Sequence, residues 1–139
     1  MAKDKIILLE TNIDDCSGEV LGFTLDKLIS AGARDAWYSP IYMKKNRPAY
    51  ALSVMCKEDE EEELIKIIFK HTSAVGLRRT EVDRVIMDRE PTEVETKYGT
   101  VKANKFSYGD IEKTSLEYSS AAALADEKDV SINDIYKNY

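Results

Sequence analysis

The chain has 139 residues, 43% of them hydrophobic and 33% charged, with a formal net charge of −6. This composition predicts one globular domain with a small appendage, and excludes a disordered chain, a membrane span and general nucleic-acid binding, which needs a basic face. Two cysteines without paired spacing, Cys16 and Cys56, imply neither a disulfide framework nor a zinc site, and Met1-Ala2-Lys3-Asp4-Lys5 is no signal peptide, so reducing cytoplasm is the expected compartment.

The first element is the apolar run Ile6-Ile7-Leu8-Leu9, short and bounded by polar residues, which reads as a strand buried on both faces. It feeds into Glu10-Thr11-Asn12-Ile13-Asp14-Asp15-Cys16-Ser17, whose acids suit a hard cation; Asp15 and Ser17 equally suit a helix cap. Val20, Leu21, Leu25, Leu28 and Ile29 recur at helical spacing up to a C-cap at Gly32. Residues 34–43 alternate as a strand, Lys44-Lys45-Asn46-Arg47-Pro48 reads as a turn, and Tyr50, Leu52, Val54 and Cys56 mark one face of a third strand. The acids from Glu58 to Glu63 fit the solvated start of a second helix through Leu64, Ile65, Ile67, Ile68 and Phe69, although six carboxylates could also chelate a metal. Leu77 to Asp88 alternates with many charges, as an edge strand tolerates.

Strand, helix, strand, strand, helix, strand predicts an α+β ferredoxin-like split βαβ sandwich over residues 1–90, with strands one and three central. Residues 91–139 form the appendage: a β-hairpin turning at Tyr98-Gly99, a helix capped by Thr114 or Ser115, and a last helix capped by Ser131.

In that sandwich the end of strand one, the turn between strands two and three, and the start of strand four share one edge. Asp14 and Asp15, then Lys44, Lys45, Asn46 and Arg47, then His71, Thr72, Ser73, Arg78 and Arg79 belong to it. Carboxylates beside Arg, Lys and Asn are the parts of a metal–polyphosphate site, with arginine binding phosphate bidentately and lysine acting as a point charge. Each basic residue alone also fits a solvated turn. His71 fits a helix C-terminus better than a ligand, and Cys56 reads as core.

Glu10-Thr11-Asn12-Ile13-Asp14-Asp15, Ala31-Gly32-Ala33, Pro40-Ile41-Tyr42-Met43-Lys44-Lys45-Asn46-Arg47-Pro48 and Val75-Gly76-Leu77-Arg78 together resemble the C-terminal domain of the LarC nickel insertion family. The resemblance runs across nearly the whole chain. It implies a part of a CTP-dependent nickel insertase, a cyclometallase of the lyase class. Such an enzyme inserts nickel into a pyridinium bis-thiocarboxylate mononucleotide, making the nickel-pincer cofactor of lactate racemase. It further implies CTP with Mn2+ or Mg2+, the metal facing Asp14, Asp15 and Glu10, and the phosphates facing Lys44, Lys45, Asn46, Arg47, Arg78 and Arg79. No catalytic residue is assigned.

The sequence departs from the family pattern at Ala49, where glycine is usual, and at Ser115-Leu116-Glu117-Tyr118, where Lys-Pro-Glu-Tyr is expected. The resemblance also implies a larger N-terminal domain with a histidine-rich region, which these 139 residues, with one histidine, are not expected to supply. The chain is therefore expected to be a split product, an isolated domain or a stand-alone relative, inactive without a nickel-handling partner. Unsatisfied sheet edges and aromatic strand faces suggest a homo-oligomer; a trimer or hexamer is the expected assembly. Two rivals remain. One is a non-catalytic ferredoxin-like module binding an effector; the other is base stacking on Tyr38, Tyr42 and Tyr50, which the acidic balance disfavours.

Overall fold

The computed structural model describes residues 2–139. The chain divides into two compact units, one of Asp4–Arg84 and one built on Val85–Tyr139. The division falls after Arg84, where the sequence suggests residue 90.

In the first unit, β1 (Ala2–Ile13), α1 (Gly18–Ser30), β2 (Asp35–Met43), β3 (Arg47–Cys56), α2 (Glu61–His71) and β4 (Arg78–Ile86) follow in order. The sheet order is β2-β3-β1-β4, with β1 and β3 central and the charge-rich β4 at one edge, as the split βαβ arrangement requires. β1 and β2 both run antiparallel to β3, hence parallel to each other. Arg78 contacts Asn12 near the end of β1 while Arg84 contacts Asp4 near its start, so β4 runs back along β1. Pro40 lies in edge strand β2, where its missing N–H costs no ladder bond to a further neighbour.

Alternation builds the core. Ile7, Leu9 and Ile13 of β1 and Leu52, Val54 and Cys56 of β3 point to one face, against Leu21 and Leu28 of α1 and Leu64 and Ile68 of α2. Each such side chain contributes roughly 1.5–3 kcal/mol by leaving water. Ser17 Oγ accepts the Val20 amide at 3.2 Å and starts α1. The helix ends in a Schellman turn, Gly32 N–H donating to Ile29 C=O and Ala33 N–H to Leu28 C=O, both at 3.1 Å. Gly32 stands at φ 105°, so the backbone demands glycine; a Cβ there would also lie 2.6 Å from Glu60 Oε2 and would have to displace that carboxylate. The acidic run divides: Glu58–Glu60 form a short 3-10 turn, and Glu61, Glu62 and Glu63 fill the first turn of α2.

The second unit contains β5 (Asp88–Thr96), β6 (Gly99–Tyr108), β7 (Ile111–Leu116), α3 (Tyr118–Lys128) and α4 (Ile132–Tyr136). Two expectations are corrected here. The hairpin is a three-stranded antiparallel meander, β5-β6-β7, turned a second time at Gly109, which adopts φ 59°. Thr114 and Ser115 therefore lie within β7 and cap nothing; α3 starts after Glu117, without a side-chain cap. The polar run within Ile111–Leu116 belongs to a strand exposed on most of its length, which resembles a loop in sequence. Ser131 does cap α4, in a reciprocal box with Asp134. Val101, Ala103 and Leu116 pack on Ala121, Leu124 and Ala125 of α3 and on Ile135 of α4.

Three outcomes follow from this packing. Ile68→Ala removes a side chain that is 1% exposed and should cost about 2–5 kcal/mol in urea unfolding. Hydrogen bonds from Lys57 and Arg84 lower the Asp4 carboxyl from 3.8 to about 2. A carboxyl lowered on folding stabilises fully above its ordinary value and loses that contribution as pH falls through the folded one. The stability gap between wild type and Asp4→Asn should therefore be widest at neutral pH and close between about pH 4 and pH 2. Burial, with Glu61 and Glu60 nearby, pushes the Cys56 thiol up to about 11. Iodoacetamide should thus leave Cys56 unmodified in the native protein while the half-buried Cys16 reacts, as read by peptide mass spectrometry.

Candidate functional site

Three segments of the Asp4–Arg84 unit meet beyond the end of β1. Asp14 and Asp15 follow its last residue, Ile13, in the short loop before α1. The β1–β3 register sets Asn12 and Ile13 opposite Ala51 and Tyr50, which brings the β2–β3 connection alongside. Arg47 opens β3 there and places Nη1 3.4 Å from Asp14 Oδ2. The connection itself, Lys44–Asn46, holds Lys45 and Asn46 left-handed, at φ 63° and 57°. Asparagine tolerates that region; a lysine held there costs about 1–2 kcal/mol. Lys44, Lys45 and Asn46 project into solvent, and among the described residues neither lysine has an acidic partner.

The third segment, residues 72–77, joins α2 to β4. Thr11 Oγ1 donates to the Gly76 carbonyl at 2.8 Å and ties this loop to β1. Thr72 Oγ1 donates to Ile68 C=O at 2.7 Å and accepts the Ala74 amide at 3.1 Å, fixing the turn. Ser73 Oγ then donates to Asp15 Oδ1, and Cys16 Sγ lies 3.3 Å from the same hydroxyl. At the start of β4, Arg78 Nη2 donates to Asn12 Oδ1 at 3.2 Å. Between the end of β1 and this loop lies a cleft of about 390 Å³, lined by Asn12, Asp14 and Asp15 on one side and Ser73 and Val75 on the other. Val75 is 100% exposed.

The predicted residues thus divide. Asp14, Asp15, Arg47 and Arg78 come together, with Lys44, Lys45 and Asn46 on the adjoining tip. Arg79 alternates to the other face of β4, where its guanidinium donates hydrogen bonds first to Glu61 and then to Glu81, which raise its pKa. Glu10 is half-buried on the face of β1 that carries Asn12, back from the loop. His71 ends α2 with its ring edge-on to Phe23, centroids 5.5 Å apart. Among the described residues no three His, Cys, Asp or Glu side chains form a ready metal cage. Thr11, which anchors the loop, and Val75, which lines the cleft, are site residues that sequence reasoning misses. Both lie within motifs that carry the family resemblance, Glu10-Thr11-Asn12-Ile13-Asp14-Asp15 and Val75-Gly76-Leu77-Arg78, but neither residue type marks a site, and threonine there reads equally as strand.

A family model described as nickel insertion protein matches residues 1–136. A pyridinium-3,5-bisthiocarboxylic acid mononucleotide nickel insertion protein of Acetivibrio thermocellus is 38% identical over 133 residues, 96% of this chain and 33% of that protein. One of the same name from Alkaliphilus metalliredigens is 41% identical over 129 residues, 93% of this chain and 31% of that one. This chain therefore spans about a third of the length of the curated relatives it matches. The solved apo structure of LarC2, the C-terminal domain of a cyclometallase involved in the synthesis of the NPN cofactor of lactate racemase, superposes with a TM-score of 0.90. It is 37% identical and covers 98% of this chain and 94% of its own. A Methanopyrus kandleri protein, 24% identical with a TM-score of 0.65 over 96% of this chain and 85% of its own, shares the fold. The match over residues 1–136 places this chain in the nickel insertion protein family.

Proposed function

We propose that this chain is the metal- and nucleotide-binding part of a CTP-dependent nickel insertase, acting on a pyridinium bis-thiocarboxylate mononucleotide with nickel as the inserted ion. In this reading it is a cyclometallase of the lyase class, works in the cytoplasm as a homo-oligomer, and needs a nickel-handling domain or subunit. The relatives' names and the LarC2 likeness support the reaction. One observation supports the placement of the nucleotide: Arg47 and Asp14 are joined at 3.4 Å beside a cleft, next to two lysines with no acidic partner among the described residues.

The donor set fits a divalent ion held jointly with a nucleotide. Mg2+ takes one or two carboxylates and completes its shell with water and substrate phosphates, and Mn2+ also suits oxygen ligands, so a third protein carboxylate is not required. Asp14 and Asp15 would hold the ion, with Glu10 behind them. When bound, it neutralises phosphate charge and polarises the phosphoryl oxygens. Arg47 exchanges Asp14 for a phosphate oxygen, which couples nucleotide binding to occupancy of the carboxylates. Lys44 and Lys45 add point charges, Asn46 a hydrogen bond, and Arg78 a second fork while Asn12 orients it. Arg79, committed to Glu61 and Glu81, adds less.

Calorimetry with CTP and ATP, with and without Mn2+, tests this reading. CTP should bind more tightly than ATP and only with the metal. Arg47→Ala should weaken binding about tenfold or more, and Asp14→Asn should remove most of the metal dependence. Tight binding of some other effector, indifferent to both substitutions, would identify a regulatory module instead.

A further inference from the structure

A second depression lies wholly within the Val85–Tyr139 unit, on the face of the β5–β6–β7 sheet opposite the one that carries Val101, Ala103 and Leu116. Cross-strand register orders its charges in rows. Glu93 stands opposite Lys102, and Glu117 prolongs β7 into the same row, its amide donating to the Lys102 carbonyl at 2.8 Å. Pro91 and Asn104 form the next pair along on this face, and Arg89 and Phe106 the one after. Arg89, Pro91, Glu93, Lys102, Asn104 and Glu117 surround a cavity of about 470 Å³, larger than the cleft at Asp14 and within the size range of small-molecule sites.

The cavity has a negative end and a positive end. In the Glu93–Lys102–Glu117 row two carboxylates flank one ammonium, which leaves negative charge in excess. Arg89 stands apart from that row. Its Nε donates to Asn104 Oδ1 at 3.0 Å, so an amide holds the guanidinium beside Asn104 and leaves both terminal nitrogens for an anion. Lys113, opposite Phe106, adds to the positive end. Glu117 Oε1 accepts from the Ser119 hydroxyl at 2.8 Å, which orients the carboxylate without neutralising it. Among the described residues Arg89, Glu93, Lys102 and Glu117 form no ion pair.

An oriented cation and an acidic row, about one pleat repeat or roughly 7 Å apart along the strands, suit a ligand that carries both signs close together. A hydrogen bond of about 2.9 Å at each end leaves only a few ångströms between the ligand's own charges, the separation found within an α-amino acid. The nucleotides of the proposed function do not fit this balance. Their phosphate and acid groups outnumber any cation they carry, and the surplus would face Glu93 and Glu117. We infer that this depression binds a free α-amino acid, its carboxylate on the Arg89 guanidinium and its ammonium on Glu93 and Glu117. The site lies in the other unit from the Asp14 cleft and does not depend on the function proposed for that cleft.

The test titrates the full 139-residue chain calorimetrically with each of the common amino acids at neutral pH and low salt. At least one should bind. Its amide, which lacks the anion, and the acid without its amino group, which lacks the cation, should each bind about tenfold more weakly. Arg89→Gln should weaken the amino acid about tenfold and leave its amide nearly unchanged. Glu93→Gln with Glu117→Gln should weaken the amino acid and leave the deaminated acid nearly unchanged. Lys102→Met removes the cation between the two carboxylates and should tighten the amide, an effect that damage to the fold does not produce. All four side chains are exposed, so the variants should keep the wild-type melting curve. Absence of binding by every amino acid would overturn the inference. Binding indifferent to Arg89→Gln and to the double glutamine variant would overturn it too, as would binding lost in Arg47→Ala, which would place the ligand in the Asp14 cleft.

Discussion

The inner faces of β1 and β3 packed against α1 and α2 are what the rest of the first unit depends on. Ile7, Leu9 and Ile13 alternate with Leu8, Glu10 and Asn12, so from Ile7 to Ile13 every second residue of β1 turns inward. A one-residue slip would bury Glu10 and Asn12 and expose Leu9. Such a slip exchanges apolar burial for unpaired polar groups, so the β1–β3 register is strongly specified. That register determines what stands at the strand ends: with Asn12 held opposite Ala51, Arg47 comes within reach of Asp14.

The candidate site is a consequence of that frame. Strands end, loops turn, and the chain returns three times to the same edge carrying charges of both signs. Thr11 ties the 72–77 loop back to β1, so the hydroxyl of Ser73 and the carboxylate of Asp15 meet although 58 positions separate them. Lys45 and Asn46 hold left-handed conformations at the hairpin tip, a local cost that the flanking β2–β3 ladder sustains. The second unit follows the same logic on a smaller scale. One face of its meander is spent on α3 and α4, and the other is left to carry Arg89, Lys102 and their carboxylates.

Elements with strong periodicity are legible in the amino-acid sequence. β1, α1, the β2–β3 hairpin, α2 and the capped α4 all lie where alternation, helical spacing and capping residues put them. β7 is not legible, because its exposed Glu112, Lys113, Thr114 and Ser115 carry no apolar alternation, and Ser and Thr before an alanine-rich run resemble a helix cap. Within the site, Arg78 and Arg79 are indistinguishable as neighbours in sequence. Their opposite fates arise from strand alternation combined with the position of Glu61, a residue 18 positions away.

The sequence by itself determined the α+β order of elements, the central and edge strands, and the charged residues available at one edge, because periodicity and strand burial are local properties. Only the tertiary structure decided which of those charges meet. It joined Arg47 to Asp14 and Ser73 to Asp15, diverted Arg79 to Glu61, and gathered Arg89, Lys102, Glu93 and Glu117 around a cavity. Cross-strand register and loop closure set those meetings, and both are fixed by where the whole core packs rather than by any one segment.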